Sequence, residues 1–270
     1  MNASLLIGCG SLGKIILDGF HRKKEEIIVF DKDSSVLKKF KLKYKKIKFF
    51  NDLKQIDWKV LDYIMICVKP NNCRDLLSEL KEYCVDKHII ISFVAGLQTK
   101  TIRSLLKKKH KRIVRIMPNI FISSNNSATA IFSNTLEDKH KKRINIDFSH
   151  FGSLIWVKKE NRLDFFTALF GGGPAYIFYI LLCFQKILIR NGFNPKDSIV
   201  LLTSLLEGTV KHIKSDMTNL ESSIKKVASK GGTTEEALRI FMEKDSLYNL
   251  FDKAINKATK RSSDISRNLE

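Results

Sequence analysis

Six residues near the amino terminus, Gly8-Cys9-Gly10-Ser11-Leu12-Gly13, constrain the fold of this chain more than any other feature. They follow a short apolar run, Ser4–Ile7, and open a stretch with helical character. In this setting Gly8 permits a tight turn, Gly10 lets the backbone approach a pyrophosphate, and Gly13 lets helix and strand pack closely. The helix start then offers N–H groups to phosphates. The pattern therefore predicts a dinucleotide-binding strand, turn and helix.

The first 160 residues or so alternate short β-rich runs with helix-like stretches, which predicts a parallel sheet covered by helices. Several runs are apolar throughout, as expected where both faces of a sheet are buried. The predicted strands are Ser4–Ile7, Ile27–Phe30, Ile47–Phe50, Tyr63–Val68, Ile89–Val94, Ile113–Met117, Ala128–Phe132 and Leu154–Val157. We therefore expect an α/β chain whose residues 1–160 form a Rossmann-type dinucleotide-binding domain.

Beyond about Asn161 the strand signal disappears and helical patterns replace it. This change predicts an all-α domain over residues 161–270. The segment Pro174–Ile189 is apolar nearly all round, so we expect it to be buried in its own domain or against another subunit. The predicted helices are Pro174–Arg190, Pro195–Lys214, Leu220–Val227, Thr234–Met242 and Ser246–Arg261.

Asp31 ends the second predicted strand, where a carboxylate can accept hydrogen bonds from the adenosine ribose 2′-OH. Its charge would repel a 2′-phosphate, which favours NADH. Lys32 and Lys38 lie close enough in sequence to accept that phosphate, so NADPH stays open. Val68-Lys69-Pro70 closes the fourth predicted strand at the edge where open α/β sheets bind ligands, and Lys69 either contacts the cofactor there or faces solvent.

A Gly-Gly-Thr-Thr sequence, Gly231 to Thr234, leads into a predicted helix. Small residues and hydroxyl groups at a helix start can receive a substrate carboxylate. The same sequence is also what an ordinary helix N-cap needs. Next to a dinucleotide domain we favour the binding site.

Composition limits the other classes of function. The net charge of +20 arises from 48 Lys+Arg against 28 Asp+Glu, and the lysines are spread without interleaved aromatic residues. We attribute this charge to a solvated surface and expect no nucleic-acid partner. The five cysteines and six histidines are scattered without ligand-like spacing, so we expect no metal site and a reducing, cytoplasmic setting. Apolar runs such as Tyr63–Val68 are far shorter than the roughly 20 residues of a membrane span, so no transmembrane helix is expected.

Together these segments and several others resemble pyrroline-5-carboxylate reductase over essentially the whole chain. The resemblance implies reduction of 1-pyrroline-5-carboxylate to L-proline, the last step of proline biosynthesis, with NADPH or NADH as cofactor. It also implies an intertwined homodimer formed by the helical domain, with larger rings as an option. The matching segments are Gly8 to Gly13, Val68-Lys69-Pro70, Ser92-Phe93-Val94-Ala95-Gly96, Arg115-Ile116-Met117-Pro118-Asn119, Thr167-Ala168-Leu169, Gly171-Gly172-Gly173-Pro174-Ala175-Tyr176 and Gly231-Gly232-Thr233-Thr234.

The resemblance also carries over individual roles. It places substrate beside Gly232, Thr233 and Thr234, with the Thr234 hydroxyl on the ring nitrogen as the catalytic contact, and it aligns Glu160 with an acidic residue near the substrate pocket. It places five residues near the nicotinamide half: Asn51, Lys69, Pro70, Ala95 and Gly96. The complete cofactor set is Gly8, Cys9, Gly10, Ser11, Leu12, Gly13, Asp31, Lys32, Asn51, Val68, Lys69, Pro70, Ala95 and Gly96.

The chain departs from the family pattern in several places. Phe170-Gly171-Gly172-Gly173-Pro174 stands where most relatives have Ser-Gly-Ser-Gly-Pro, and Ser229-Lys230 stands where Ser-Pro is usual. Ile120-Phe121 follows Asn119 where Thr-Pro is usual, and an acidic residue expected around Leu182 is replaced. Two alternatives therefore stay open: a related two-domain dehydrogenase acting on another imine or a β-hydroxy acid, and a non-catalytic dinucleotide-binding protein.

Overall fold

The computed structural model describes residues 3–23, 26–106, 112–215 and 219–267. His110, one of the histidines considered above, lies outside these described residues. By internal contacts the chain forms two compact units: Met1–Gly172 together with Lys257–Glu270, and Gly173–Asn256. The predicted domain boundary after residue 160 stays a prediction.

The first unit is built on one sheet with strand order β3-β2-β1-β4-β5-β6-β7-β8 among the described residues. Neighbouring strands are parallel except for β6 and β7, which are antiparallel. The order reverses beside β1, where doubly wound sheets bind ligands. The strands are β1 (Ala3–Ile7), β2 (Ile27–Phe30), β3 (Lys48–Phe50), β4 (Leu61–Ile66), β5 (Ile89–Ser92), β6 (Ile113–Met117), β7 (Ser127–Phe132) and β8 (Gly152–Trp156). The expected α/β, Rossmann-type fold is confirmed.

Apolar residues on both faces of this sheet explain why its central strands are apolar throughout. In β1, Leu6 packs into one buried cluster with Phe20, while Leu5 and Ile7 pack into a second cluster with Leu77. Because successive side chains of a strand point to opposite faces, each cluster lies on its own side of the sheet. The helices of this unit are α1 (Ser11–Arg22), α2 (Ser34–Lys43), α3 (Cys73–Leu80), α4 (Thr99–Leu105), α5 (Asp138–Phe148) and α6 (Arg162–Phe166).

His150 makes the stability of the first unit sensitive to acid. Its ring packs against Phe151, with ring centroids 3.9 Å apart, and against Phe20. Burial of the ring, and to a smaller extent the positive charge of Lys23, lower the pKa of His150 from 6.5 to about 4. The unfolded chain therefore binds a proton that the folded chain rejects, so stability is complete above pH 6.5 and falls as the pH drops towards 4.

We expect His150→Leu to reduce this loss of stability, since leucine cannot be protonated. The measurement is the free energy of unfolding by urea at pH 7.5 and at pH 5, for the wild type and the variant. The difference between the two pH values should be smaller in the variant. An equal difference in both proteins would exclude His150 as the cause.

The second unit consists of helices whose apolar side chains are largely exposed within one chain. They are α7 (Gly173–Arg190), α8 (Pro195–Ser215), α9 (Leu220–Val227), α10 (Thr233–Met242) and the first part of α11 (Ser246–Arg267). In α7 only Pro174 is buried, whereas Phe178 and Tyr179 are 55% and 67% exposed. Burial of this helix in its own domain, one of the two expected outcomes, is therefore wrong for the single chain.

One helical segment among the described residues, Arg162–Arg190, is long and apolar enough to cross a membrane by length and composition alone. Residues 165–185 within this segment contain no Asp, Glu, Lys or Arg, so they form a longer apolar run than Tyr63–Val68. Composition therefore does not by itself support the expectation that no span is present. A helix buried in an oligomer interface has the same composition, and one such segment is weak support for a membrane protein.

Candidate active site

Two glycines of the turn have no space for a side chain, and the third does. Gly8 ends β1 with φ of +97°, and a Cβ there would lie 2.9 Å from the carbonyl oxygen of Cys67. A Cβ on Gly13 would lie 2.0 Å from the carbonyl oxygen of Gly8. At Gly10, the N-cap of α1, a Cβ would meet nothing within 4 Å. The backbone is therefore accessible at Gly10, where a phosphate would approach the start of the helix.

Asp31 is tied to this turn by its carboxylate. Its Oδ2 accepts a hydrogen bond from the backbone N–H of Cys9 at 2.7 Å, and its Oδ1 accepts one from the N–H of Asp33 at 3.0 Å. These two bonds fix the direction of the carboxylate and link the end of β2 to the glycine turn. A negative charge therefore stands where the ribose of a dinucleotide is expected.

Four of the predicted cofactor residues, Gly8, Asp31, Lys32 and Val68, line one cavity of about 310 Å³. Asn72, Asp75 and Leu76 line the same cavity from the segment that follows β4, although no sequence pattern indicated them. Their position follows from strand order, because β4 pairs with β1 and its carboxyl end opens beside the glycine turn. Apolar walls from Ile7, Phe30, Val68 and Leu76 suit a flat base, and the acidic rim suits a ribose.

Lys32 lines this cavity but is already paired. Its Nζ lies 2.6 Å from Oε1 of Glu79 on α3, and both side chains are about half exposed. Asp75 adds a second carboxylate to the cavity beside Asp31. Two carboxylates and one lysine line the cavity, so the charge of its lining favours an unphosphorylated ribose.

Asp31→Ser should therefore improve the use of NADPH relative to NADH. Serine removes the charge that repels a 2′-phosphate and keeps one oxygen for hydrogen bonding. We expect the ratio of kcat/KM for NADPH to that for NADH to rise about tenfold. Asp138→Ser is the matched control, because Asp138 is 87% exposed and does not line the cavity. An unchanged ratio in Asp31→Ser would remove Asp31 from the specificity argument.

The remaining predicted nicotinamide residues lie after strands of the same sheet. Asn51 directly follows β3 and is exposed. Lys69 is the N-cap of a single 3₁₀ turn, Pro70–Asn72, and its side chain faces solvent. Ala95 and Gly96 follow β5, with Ala95 half-buried and Gly96 buried. Because β3, β4 and β5 run parallel with β1, all these residues lie at the carboxyl edge.

A second cavity, of about 260 Å³, joins the glycine turn to the ends of β5 and β6. Ser11 and Leu12 of the turn line it together with Phe93, Met117, Pro118 and Asn119, and Gly171 closes one side. The Asn119 side chain accepts a hydrogen bond from the N–H of Phe121 at 3.1 Å, so the departure from Thr-Pro at this point leaves an ordered turn. The first unit therefore has a second pocket next to the glycine turn.

Glu160 makes its described contacts inside the first unit. Its Oε1 accepts hydrogen bonds from the backbone N–H of Thr99 at 2.7 Å and from Nη1 of Arg115 at 3.0 Å. Its Oε2 accepts one from the Thr99 hydroxyl at 2.8 Å. The carboxylate therefore holds α4 and β6 together.

The Gly-Gly-Thr-Thr sequence forms the start of α10 in the second unit. Gly231 has φ of +74°, and its N–H donates to the Glu235 carboxylate at 2.6 Å. Gly232 is the N-cap and has no side chain to cap the helix. Thr233 is exposed and Thr234 is half-buried in the first turn. The N–H groups of this turn and the two hydroxyls suit a small carboxylate, and the substrate role of Gly232, Thr233 and Thr234 stays a prediction.

Two family models match separate parts of the chain. The model for pyrroline-5-carboxylate reductase dimerisation matches residues 160–265. The model for NADP oxidoreductase, coenzyme F420-dependent, matches residues 5–96, which include the glycine turn and the 310 Å³ cavity.

Individual relatives extend the similarity over nearly the whole chain. A pyrroline-5-carboxylate reductase of Aquifex aeolicus is 30% identical over 261 residues, which cover 95% of each chain. One of Staphylococcus aureus is 31% identical over 210 residues, covering 77% of this chain and 76% of the relative. Among solved structures, a pyrroline-5-carboxylate reductase of Coxiella burnetii matches with a TM-score of 0.87 and 28% identity over 98% of both chains. The Plasmodium falciparum pyrroline carboxylate reductase with NADP bound has the same fold, with a TM-score of 0.81 and 22% identity over 98% of both chains.

Proposed function

This chain belongs to the pyrroline-5-carboxylate reductase family, and from that premise we propose that it reduces 1-pyrroline-5-carboxylate to L-proline with NADH or NADPH. The observation that carries the proposal is the similarity to a reductase over 95% of both chains, combined with a glycine turn whose backbone is open at Gly10. The comparisons do not favour the hydroxy-acid dehydrogenase or the non-catalytic protein that the sequence left open.

The residues of the first unit fit a dinucleotide. Gly8 and Gly13 have no room for a Cβ, Gly10 leaves the backbone open, and Asp31 presents a fixed carboxylate. When bound, the dinucleotide supplies a hydride from the C4 position of its nicotinamide ring. We assign the 310 Å³ cavity to the adenosine and the turn to the pyrophosphate. Asn51, Lys69, Pro70, Ala95 and Gly96 are the residues proposed for the nicotinamide half.

Substrate recognition is assigned to the start of α10. The positive end of the helix and the N–H groups after Gly232 would bind the carboxylate of the cyclic imine, with the Thr233 hydroxyl beside it. The Thr234 hydroxyl would hydrogen-bond the ring nitrogen and hold it in place. A protonated imine carbon is already electrophilic, so the protein has to orient the C=N bond and keep the proton on nitrogen. These roles need no metal ion or charged nucleophile.

The altered glycine segment is compatible with this proposal. Residues Thr167–Gly171 form a π-helical turn, and Phe170 stacks on Phe166 with ring centroids 4.6 Å apart. Gly171 still lines the second cavity. The backbone of this segment is therefore ordered without the serine hydroxyls of most relatives, and we propose that those hydroxyls are not required for reduction.

The second unit is proposed to form a homodimer. Its matched family model is a dimerisation domain, and the exposed apolar residues of α7 and α8 provide a surface that such a dimer would bury. The same proposal includes three further points: the dimers can assemble into larger rings, no segment spans a membrane, and the protein has no nucleic-acid partner. The five cysteines are all free thiols, which agrees with a reducing cytoplasm.

A direct assay tests the proposed reaction. The absorbance of NADH and of NADPH is followed separately with purified protein, with and without 1-pyrroline-5-carboxylate. We expect oxidation that depends on the imine. If neither cofactor is oxidised although the protein is folded and dimeric, the proposal fails. Oxidation with only another imine or a keto acid would instead support the related dehydrogenase.

A further inference from the structure

The loop between β5 and α4, residues 93–98, contains Ala95 and Gly96, two residues proposed to lie at the nicotinamide. The loop follows β5, which lies next to β4 in the sheet. Helix α4 begins directly after the loop, at Thr99. Gly96 holds this loop in a left-handed turn, with φ of +78°. Phe93, Val94 and Leu97 bury their side chains in the core, and the Leu97 N–H donates to the Val94 carbonyl at 3.4 Å. Other segments contact the turn at Gly96 and the end of the loop at Thr99.

Glu160 fixes the end of the loop at Thr99. Its carboxylate accepts hydrogen bonds from the backbone N–H of Thr99 at 2.7 Å and from the Thr99 hydroxyl at 2.8 Å, in the first turn of α4. The side chain of Gln98, the N-cap residue of α4, makes no capping hydrogen bond. The same carboxylate pairs at 3.0 Å with Arg115, whose side chain is 4% exposed. Arg115 belongs to β6, the neighbour of β5. Glu160 therefore connects the end of the loop to the adjacent strand.

Asp164, four residues after Glu160 and within α6, fixes the middle of the loop through the carboxyl-terminal helix. Its carboxylate is buried and accepts hydrogen bonds from Ser262 at 2.8 Å and Ser263 at 3.2 Å. The next turn of that helix lies on Gly96, where a Cβ would meet the backbone nitrogen of Ser266 at 3.1 Å. Asp164 therefore anchors the carboxyl-terminal helix close to the point where that helix covers the loop.

We propose that Glu160 and Asp164 are positioning residues for the β5–α4 loop and so for the nicotinamide half of the cofactor. This inference rests on the proposed function and assigns Glu160 a part in dinucleotide binding in place of the substrate contact that the sequence resemblance implied. Both carboxylate oxygens of Glu160 are already engaged by donors of the first unit, and its side chain is only 21% exposed. A preorganised loop binds its ligand without a further ordering cost.

Glu160→Gln tests the assignment. Glutamine keeps one acceptor for Thr99 but loses the charge that faces Arg115. We expect the Kd for NADH or NADPH, measured by titration without substrate, to rise about tenfold. The KM for 1-pyrroline-5-carboxylate at saturating cofactor should stay within about twofold of the wild type. Glu137→Gln is the matched control, because Glu137 also pairs with an arginine, Arg112, but lines neither cavity.

A gentler variant keeps the test decisive if Glu160→Gln does not fold. Thr99→Val removes only the hydroxyl bond to Glu160 and retains the backbone bond and the ion pair with Arg115. We expect a rise of about threefold in dinucleotide Kd. Hydrogen exchange at residues 93–98 of the ligand-free variant should also be faster than in the wild type.

The outcomes separate this inference from the proposed function. A raised substrate KM with unchanged dinucleotide Kd in Glu160→Gln, or in Thr99→Val if the first variant does not fold, would overturn the positioning role and restore the substrate contact. Unchanged values of both constants would overturn it as well. A wild-type protein that binds neither dinucleotide would instead contradict the proposed function itself.

Discussion

Replacing Thr234 by alanine is expected to lower kcat for imine reduction about a hundredfold, a usual cost of losing one preorganised hydrogen bond at a reacting group. Thr234 lies half-buried in the first turn of α10. The N-cap residue of this helix, Gly232, has no side chain that could bond the first N–H groups. Without its hydroxyl, the substrate carboxylate can still bind at the helix start, but the ring nitrogen loses its partner. The Kd for dinucleotide should stay within about twofold, since the cofactor contacts belong to the first unit.

Two further variants make this result specific. Thr234→Ser keeps the hydroxyl and should recover most of the activity. Thr209→Ala is the matched control, because Thr209 is another threonine of the second unit, and its hydroxyl donates to the carbonyl of Leu205 in its own helix. Steady-state kinetics with both cofactors provides the measurement. Wild-type kcat in Thr234→Ala would show that another group holds the ring nitrogen.

Alanine at Gly13 and alanine at Gly10 are expected to fail in different ways. A Cβ on Gly13 would meet the Gly8 carbonyl oxygen at 2.0 Å, a backbone contact that cannot be relieved by a side-chain rotation. We expect Gly13→Ala to lower the free energy of unfolding by about 3 kcal/mol, the upper end for overpacking, and to abolish dinucleotide binding. At Gly10 the Cβ meets nothing within 4 Å, so Gly10→Ala should fold normally and bind the dinucleotide about tenfold more weakly.

Urea unfolding and dinucleotide titration of both variants check this contrast. The stability of Gly10→Ala should equal that of the wild type within about 0.5 kcal/mol. Equal affinity for dinucleotide in Gly10→Ala and the wild type would mean that the open side of the turn does not face the pyrophosphate. A stable Gly13→Ala that binds normally would contradict the close packing of helix and strand.

The strands were predictable because their signal is local. Each of the eight predicted runs overlaps an observed strand, and Ile27–Phe30 and Ile113–Met117 have the same bounds in both. The glycine turn was predictable for the same reason, since its spacing records a backbone shape that only glycine at Gly8 and Gly13 permits. Helix patterns in the second half were equally clear, and Leu220–Val227 matches as predicted.

What could not be predicted depends on contacts between segments distant in sequence. Asp75 and Leu76 join the cofactor cavity because β4 pairs with β1, a neighbour relation that no local pattern records. The bonds of Glu160 to Thr99 and Arg115 likewise depend on strand order, so resemblance alone placed this carboxylate near the substrate. The exposure of α7 within one chain was also beyond the sequence, since an apolar helix looks the same in a core and in a subunit interface.

Transfer of deuterium tests the central claim most directly. The protein is incubated with 1-pyrroline-5-carboxylate and with NADH or NADPH that carries deuterium at C4 of the nicotinamide, and the product is examined by mass spectrometry. The account predicts L-proline with one deuterium on the carbon that belonged to the C=N bond, and at least a hundredfold less of it from Thr234→Ala in the same time. Folded wild-type protein that forms no deuterated proline with either cofactor would contradict it.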